Sequence, residues 1–138
     1  MDDRKICITE FDMQRLRSLI VDEMRKDQRG NEYLTQLDNE LSRSNLTAPT
    51  EIPADVITMN SRVRILDMEN NEEMVYTLVF PSDADLKNGK LSVLAPIGTA
   101  LLGYRQGDIF NWKVPGGTMK IKVLEILYQP EASGDFNL

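Results

Sequence analysis

Histidine is absent from this sequence, and cysteine occurs once, at Cys7. Without histidine there is no Ser-His-Asp triad, no Cys-His dyad and no zinc site with histidine ligands. A single cysteine excludes an internal disulfide, a CxxC redox pair and a thiolate cluster. Any chemistry must come from carboxylates, amines, hydroxyls or backbone groups. The composition therefore favours a binding module over an enzyme, and we expect no cofactor and no metal.

The sequence also lacks an excess of basic over acidic residues, and it has no long apolar runs. The 138 residues carry 16 basic and 22 acidic side chains, a formal net charge of −6. A chain of this charge lacks the bulk attraction that dominates non-specific nucleic-acid binding, so no strong direct nucleic-acid binding is expected. No stretch approaches the roughly 18 apolar residues of a membrane span, and Met1–Lys5 leads into no apolar signal segment. We expect a cytoplasmic protein with no membrane partner.

The first third of the chain has a helical pattern over residues 6–44. Thr9 followed by Asp12 indicates an N-cap and approximates a capping box. Apolar residues recur at roughly helical spacing in two runs, and the polar segment 27–31 separates them. The pattern predicts an antiparallel, coiled-coil-like helical hairpin. A helix of about 18 residues would reach only about 27 Å.

A linker with two prolines follows, at residues 46–53. Because Pro49 and Pro53 block helix continuation, we place a domain boundary near residue 48. This divides the chain into a helical hairpin, 1–48, and a globular domain, 49–138.

The second domain is dominated by strand patterns, bounded by turn signals such as Pro81, Asn88–Gly89 and Pro115–Gly117. Pro96–Gly103 suits a short helix, with proline near its start and glycine at its end. Five strands and one short helix predict an antiparallel α+β domain. The strands are expected at 61–66, 74–80, 91–94, 109–114 and 119–128. The aromatic residues are expected mostly in the core rather than stacked on bases; they are Tyr76, Phe80, Tyr104, Phe110, Trp112 and Tyr128.

Several segments of this domain resemble one protein family. The most specific are Thr58–Val63 and Tyr128–Ala132, and the others are 56–57, 91–103, 107–108, 114–117 and 127. On these residues, 49–138 resembles the C-terminal domain of the Gre-type (GreA/GreB) bacterial transcription elongation factors. The chain as a whole is similar to their short relatives, the Rnk-type regulators of nucleoside diphosphate kinase. Over 1–48 the likeness is one of architecture only.

The resemblance implies an FKBP-like fold for the second domain and RNA polymerase as the partner. Gre factors dock their globular domain on the rim of the polymerase secondary channel. Their long hairpin enters the channel, and acids at its tip help to hold a catalytic magnesium ion. The shorter Rnk-type hairpin is understood to occupy the same entrance without reaching the active centre. The resemblance thus implies a non-catalytic transcription regulator that competes with Gre factors without stimulating transcript cleavage.

One segment matches the part of Gre factors that contacts the polymerase. It consists of Leu94, Ala95, Pro96 and Ile97. Gre factors typically have Ser-Pro there, in some members after an acidic residue. Only the proline is kept in this chain, so the contact would be more apolar. The alternative is a strand-to-helix turn in which Pro96 and Gly98 serve the backbone alone, and both interpretations can hold together.

The predicted hairpin tip offers four carboxylates, on Asp22, Glu23, Asp27 and Glu32. Magnesium prefers such hard oxygen ligands. The Gre tip pattern is not recognisable, however, and neighbouring basic residues would partly neutralise the site. We expect a solvated charged turn here.

Three other functions stay open at this point. A true cleavage factor would need the tip carboxylates and a longer hairpin. A peptidyl-prolyl isomerase is suggested only by the implied FKBP-like fold, and fold alone is a weak guide to function. A regulator of nucleotide metabolism is suggested by the name of the Rnk-type proteins, and its effect could be indirect through transcription.

Overall fold

The computed structural model describes residues 7–26, 32–42, 44–114 and 116–135. Short 3-10 helices lie in the connections, at Pro49–Glu51, Pro81–Asp83 and Leu86–Asn88. The helices and strands follow the chain as β1 (Cys7–Ile8), α1 (Glu10–Lys26), α2 (Glu32–Ser42), β2 (Asn45–Leu46), β3 (Arg62–Asp67), β4 (Glu72–Val79), β5 (Lys90–Ser92), α3 (Pro96–Leu101), β6 (Ile109–Val114) and β7 (Gly117–Tyr128).

Helix α1 begins where the sequence predicts. The backbone N–H of Asp12 donates to Thr9 Oγ1 at 3.1 Å, which confirms Thr9 as the N-cap. The 17 residues of α1 span about 26 Å. Arg17 and Asp38 form an ion pair between α1 and α2, with 3.4 Å between Nη1 and Oδ1. No helix in the described ranges is long and apolar enough to cross a membrane.

The segments that flank the two helices form a small sheet that the sequence pattern does not predict. Strand β1 pairs in parallel with β2, with Cys7 opposite Asn45 and Ile8 opposite Leu46. The N–H of Thr47 also donates to the carbonyl of Ile8, at 2.8 Å. Part of the predicted helix and part of the predicted linker are therefore paired strands, because each supplies backbone partners to the other.

The main sheet has the strand order β5-β4-β3-β7-β6. Strand β3 is antiparallel to β4 and β7, and β6 is antiparallel to β7. Strand β5 is parallel to β4, so the prediction of a wholly antiparallel sheet was wrong. The reason lies in the connection, which contains two 3-10 helices. The turn at Gly89, with φ of 72°, reverses the chain between Asp85 and Lys90, which form an antiparallel bridge, and not between β4 and β5.

One hydrophobic core joins the helices to the inner face of this sheet. Leu16 of α1 and Leu37 of α2 belong to the same buried cluster as Val63, Ile65 and the α3 residues Ala100 and Leu101. The rings of Tyr104 and Phe110 stack in this core with their centroids 4.1 Å apart, as expected of the aromatic residues. The core is therefore continuous across residue 48.

Candidate protein-docking site

The corner between β5 and α3 contains the four residues predicted to contact a partner, Leu94–Ile97. Strand β5 ends at Ser92, whose side chain and carbonyl both hold the next turn. The N–H of Leu94 donates to Ser92 Oγ at 3.1 Å, and the N–H of Ala95 donates to the Ser92 carbonyl at 3.0 Å. A short polar side chain thus stabilises the reversal of the chain.

The start of α3 is fixed by a second set of contacts. Ala95 is the extended N-cap residue, and Pro96 occupies the first turn, where a proline costs no hydrogen bond. Thr99 Oγ1 donates to the carbonyl of Val93 at 2.6 Å. An ideal Cβ on Gly98 would lie 2.0 Å from the Ser92 carbonyl oxygen, so α3 approaches β5 more closely than any other residue would permit. These contacts therefore fix the backbone conformation of the corner.

The exposed surface of this corner is uncharged. Leu94, Ala95 and Ile97 are half-buried, and Leu94 and Ile97 also pack against the core. The residues have no titratable group, so the arrangement is suited to binding through apolar contact rather than to proton or group transfer. The backbone role that the sequence interpretation allows is seen here, and a partner role for these residues stays a prediction.

The four carboxylates predicted at the helical tip are placed only in part. Asp22 is exposed on α1, and Glu23 lies 3.7 Å from the ammonium group of Lys26. Asp27 and the side chain of Glu32 lie outside the described residues. Within the described part of the chain, no three metal-ligating side chains of histidine, cysteine, aspartate or glutamate come together. A role for these four residues stays a prediction.

A buried polar cluster is formed by residues of the two most specific sequence segments. The sequence pattern does not predict that these residues contact one another. Thr58 Oγ1 donates to Glu131 Oε1 at 2.6 Å and also lies 3.0 Å from Ser61 Oγ. Gln129 Nε2 donates to the carbonyls of Pro53 and Val56, at 2.8 and 2.6 Å. The cluster joins the end of β7 to the segment before β3. These segments therefore serve the fold directly.

Asp12 lies next to this cluster and is almost fully buried, with 1% of its surface exposed. Burial raises its pKa from 3.8 to about 6, against the hydrogen bond and charge of Arg15, and the nearby Glu131 carboxylate adds to the increase. The Arg15 guanidinium also lies over the rings of Phe11 and Phe80, 4.0 and 4.5 Å from their centroids. Arg15 thus links α1 to the end of β4.

We expect the buried Asp12 to make folding stability decrease as pH rises from about 4 to about 7. Because the folded-state pKa lies above the unfolded value, the folded chain binds more protons in this range, and ionisation of Asp12 costs about 2 to 3 kcal/mol. Urea unfolding at several pH values measures this effect. The free energy of unfolding of the wild type should fall relative to that of Asp12→Asn as the pH rises, because asparagine does not ionise. A difference that is constant with pH would contradict the assignment.

Comparison with known proteins defines the class. The family profile "Transcription elongation factor, GreA/GreB, C-term" matches residues 52–128, which contain the main sheet, α3 and the corner Leu94–Ile97. The chain belongs to the GreA/GreB family of transcription elongation factors. A second profile, "Rnk N-terminus", matches residues 4–46, which contain α1 and α2.

The individual relatives agree with both matches. The "Regulator of nucleoside diphosphate kinase" of Escherichia coli K12 is 48% identical over 103 residues, covering 74% of this chain and 76% of the relative. The "Transcription elongation factor GreA" of Clostridium perfringens SM101 is 37% identical over 106 residues, covering 76% and 67%. A solved GreA/GreB structure from Nitrosomonas europaea has a TM-score of 0.74 at 39% identity, covering 90% of this chain and 98% of that one. The chain is therefore similar both to Rnk-type regulators and to GreA.

Proposed function

We propose that this protein regulates transcription by binding bacterial RNA polymerase at the rim of the secondary channel, in competition with Gre-type factors and without stimulating transcript cleavage. In this proposal 49–138 is an FKBP-like docking domain and 1–48 is an antiparallel helical hairpin. The observation that carries it is the uncharged corner Leu94–Ile97, fixed by backbone contacts on a GreA/GreB-family domain.

The geometry of the helices supports the non-catalytic part of the proposal. Helix α1 has 17 residues and a length of about 26 Å. Glu23 is paired with Lys26, and Lys26 is the last residue of α1, so positive charge lies beside the tip carboxylates. A short hairpin with a partly neutralised tip would restrict access to the channel without delivering a metal ion.

Displacement of a Gre factor is the deciding measurement. With a fluorescently labelled GreA bound to RNA polymerase, increasing amounts of this protein should lower the bound fraction to zero with a single-site dependence. In backtracked elongation complexes it should leave the cleavage rate at the level of polymerase alone. Displacement together with faster cleavage would favour the cleavage-factor alternative, and no displacement at about 10 μM would contradict polymerase binding.

Pro96→Asn should weaken polymerase binding about tenfold, because it changes the centre of the proposed contact. Pro81→Asn is the matched control, since Pro81 also opens a short helix after an extended cap residue. The control should bind like the wild type, and both variants should keep the far-ultraviolet circular dichroism of the native fold. Equal affinity of Pro96→Asn and wild type would remove this corner from the interface.

A further inference from the structure

The outer face of the main sheet carries one row of four polar residues on adjacent strands. Lys90 on β5 pairs with Thr77 on β4, Thr77 pairs with Arg62 on β3, and Arg62 pairs with Tyr128 on β7. Residues opposite each other on neighbouring strands point to the same face. The next residue, Val63, is buried in the core on the inner face, so the row lies on the outer face. With strands about 4.8 Å apart, Lys90 and Arg62 stand about 10 Å apart on either side of Thr77.

A cavity of about 430 Å³ lies over this row, which is within the size range of small-molecule sites. Its lining comprises Asn60, Arg62, Thr77, Val79, Asp83, Lys90 and Tyr128. A second cavity of about 430 Å³ also uses Arg62 and Thr77, so the two adjoin. The row therefore lines a concave surface on the open side of the sheet.

The two cations of this cavity are available to an anion. Arg62 and Lys90 are exposed, and neither has a carboxylate within 4.0 Å among the residues that the structure describes. Arg64, two residues along β3, is different, since it contacts both Glu73 and Glu125, at 3.6 and 2.9 Å. Among the described residues that line the cavity, Asp83 is the one acid. The cavity therefore has a net positive lining on a chain whose formal charge is −6.

The other lining groups suit the remainder of a nucleotide. The Thr77 hydroxyl lies between the two cations and can donate to a phosphate oxygen, while a guanidinium binds phosphate with two parallel hydrogen bonds. The Tyr128 hydroxyl donates to Asp135, and this hydrogen bond raises the pKa of Tyr128 to about 12. An aromatic ring beside a basic groove is a stacking platform for a base.

We propose that this cavity binds a nucleoside phosphate, with the phosphate between Lys90 and Arg62 and the base against Tyr128. An acidic peptide would satisfy the two cations but would leave the Tyr128 ring without a matching group. The site does not include the corner Leu94–Ile97, so the proposal is independent of polymerase binding.

Calorimetric titration of the full chain with AMP and with inorganic phosphate tests the proposal. AMP should bind at least about tenfold more tightly than phosphate, because only AMP can use the tyrosine. Arg62→Gln and Lys90→Gln should each lower the AMP affinity about tenfold, and Tyr128→Leu should lower it to that of phosphate. Asp83→Asn should raise the affinity about threefold by removing a repulsive charge. Lys120→Gln is the matched control, as an exposed lysine on the same face outside the cavity, and should change nothing.

Four results would overturn the proposal. They are no binding of AMP at about 5 mM, equal affinity for AMP and inorganic phosphate, unchanged AMP binding in both cation variants, and tighter binding of a hexaglutamate peptide than of AMP. The second result would indicate an adventitious ion only, and the fourth a protein-docking surface. Urea unfolding of each variant separates loss of a binding group from loss of the fold, because the exposed Arg62 and Lys90 contribute little to stability.

Discussion

Gly98→Ala is expected to destabilise the protein by about 4 kcal/mol, an effect larger than most single substitutions produce. In a helix, alanine would ordinarily be favoured over glycine by about 1 kcal/mol. At this position, however, the added Cβ would lie 2.0 Å from the carbonyl oxygen of Ser92 and 3.2 Å from Cα of Val93. Both are backbone atoms, so α3 or β5 must shift as a whole. Urea unfolding followed by circular dichroism measures the loss.

The matched control for this change is Gly107→Ala. Gly107 has a φ of +95° and no atom within 4 Å of an added Cβ, so alanine there meets only backbone strain, of about 1 to 2 kcal/mol. A loss at Gly98 no larger than at Gly107 would mean that α3 can move away from β5 at little cost. Since the same contact fixes the corner Leu94–Ile97, the Gly98 variant should also bind polymerase more weakly, if the proposed docking site is right.

Thr58→Val should cost about 3 to 4 kcal/mol in the free energy of unfolding. Valine has nearly the shape of threonine but removes the hydroxyl that donates to Glu131 at 2.6 Å. Glu131 is 8% exposed, and among the described residues Thr58 supplies its hydrogen bond. A buried carboxylate that loses its donor carries the full desolvation penalty, which exceeds the value of the bond itself. Equilibrium urea unfolding at neutral pH is the measurement.

Thr118→Val provides the comparison for this substitution. Thr118 is exposed on β7, and the same chemical change there should alter stability by no more than about 0.5 kcal/mol. The double variant Thr58→Val with Glu131→Gln should recover part of the loss, because a neutral amide is less costly to bury than a charge. If Thr58→Val and Thr118→Val were equally mild, water would have to reach Glu131 and the cluster would not be a determinant of the fold.

Local signals account for much of what could be predicted from the sequence. Thr9 is followed by a helix because its side chain is a suitable N-cap, and the capping contact is local. Alternation of apolar and polar residues located β3 and β7, and a run of strand-forming residues that ends at Pro81 located β4. Both signals are properties of each strand by itself. The two distinctive segments, Thr58–Val63 and Tyr128–Ala132, carried the family resemblance that the comparisons confirmed.

Features that depend on distant residues could not be predicted in the same way. Strand β5 is parallel to β4 because the intervening chain folds into two 3-10 helices, and the Asn88–Gly89 pair has the same local signature in either arrangement. The parallel pairing of β1 with β2 joins positions 38 residues apart, Cys7 and Asn45. No local sequence pattern predicts this pairing, because two residues are too few to show the alternation of a strand.

By itself, the sequence determined which side-chain chemistry is unavailable, where most helices and strands lie, and the family. It could do so because composition is a property of the chain, while periodicity and motifs are properties of neighbouring residues. Only the tertiary structure decided which charges are buried and which share a surface. Asp12 appeared as an ordinary helix carboxylate until packing placed it 1% exposed beside Glu131. Strand register places four residues that are far apart in the chain in one row across the sheet, because it sets which residues of neighbouring strands lie opposite each other. These residues are Lys90, Thr77, Arg62 and Tyr128.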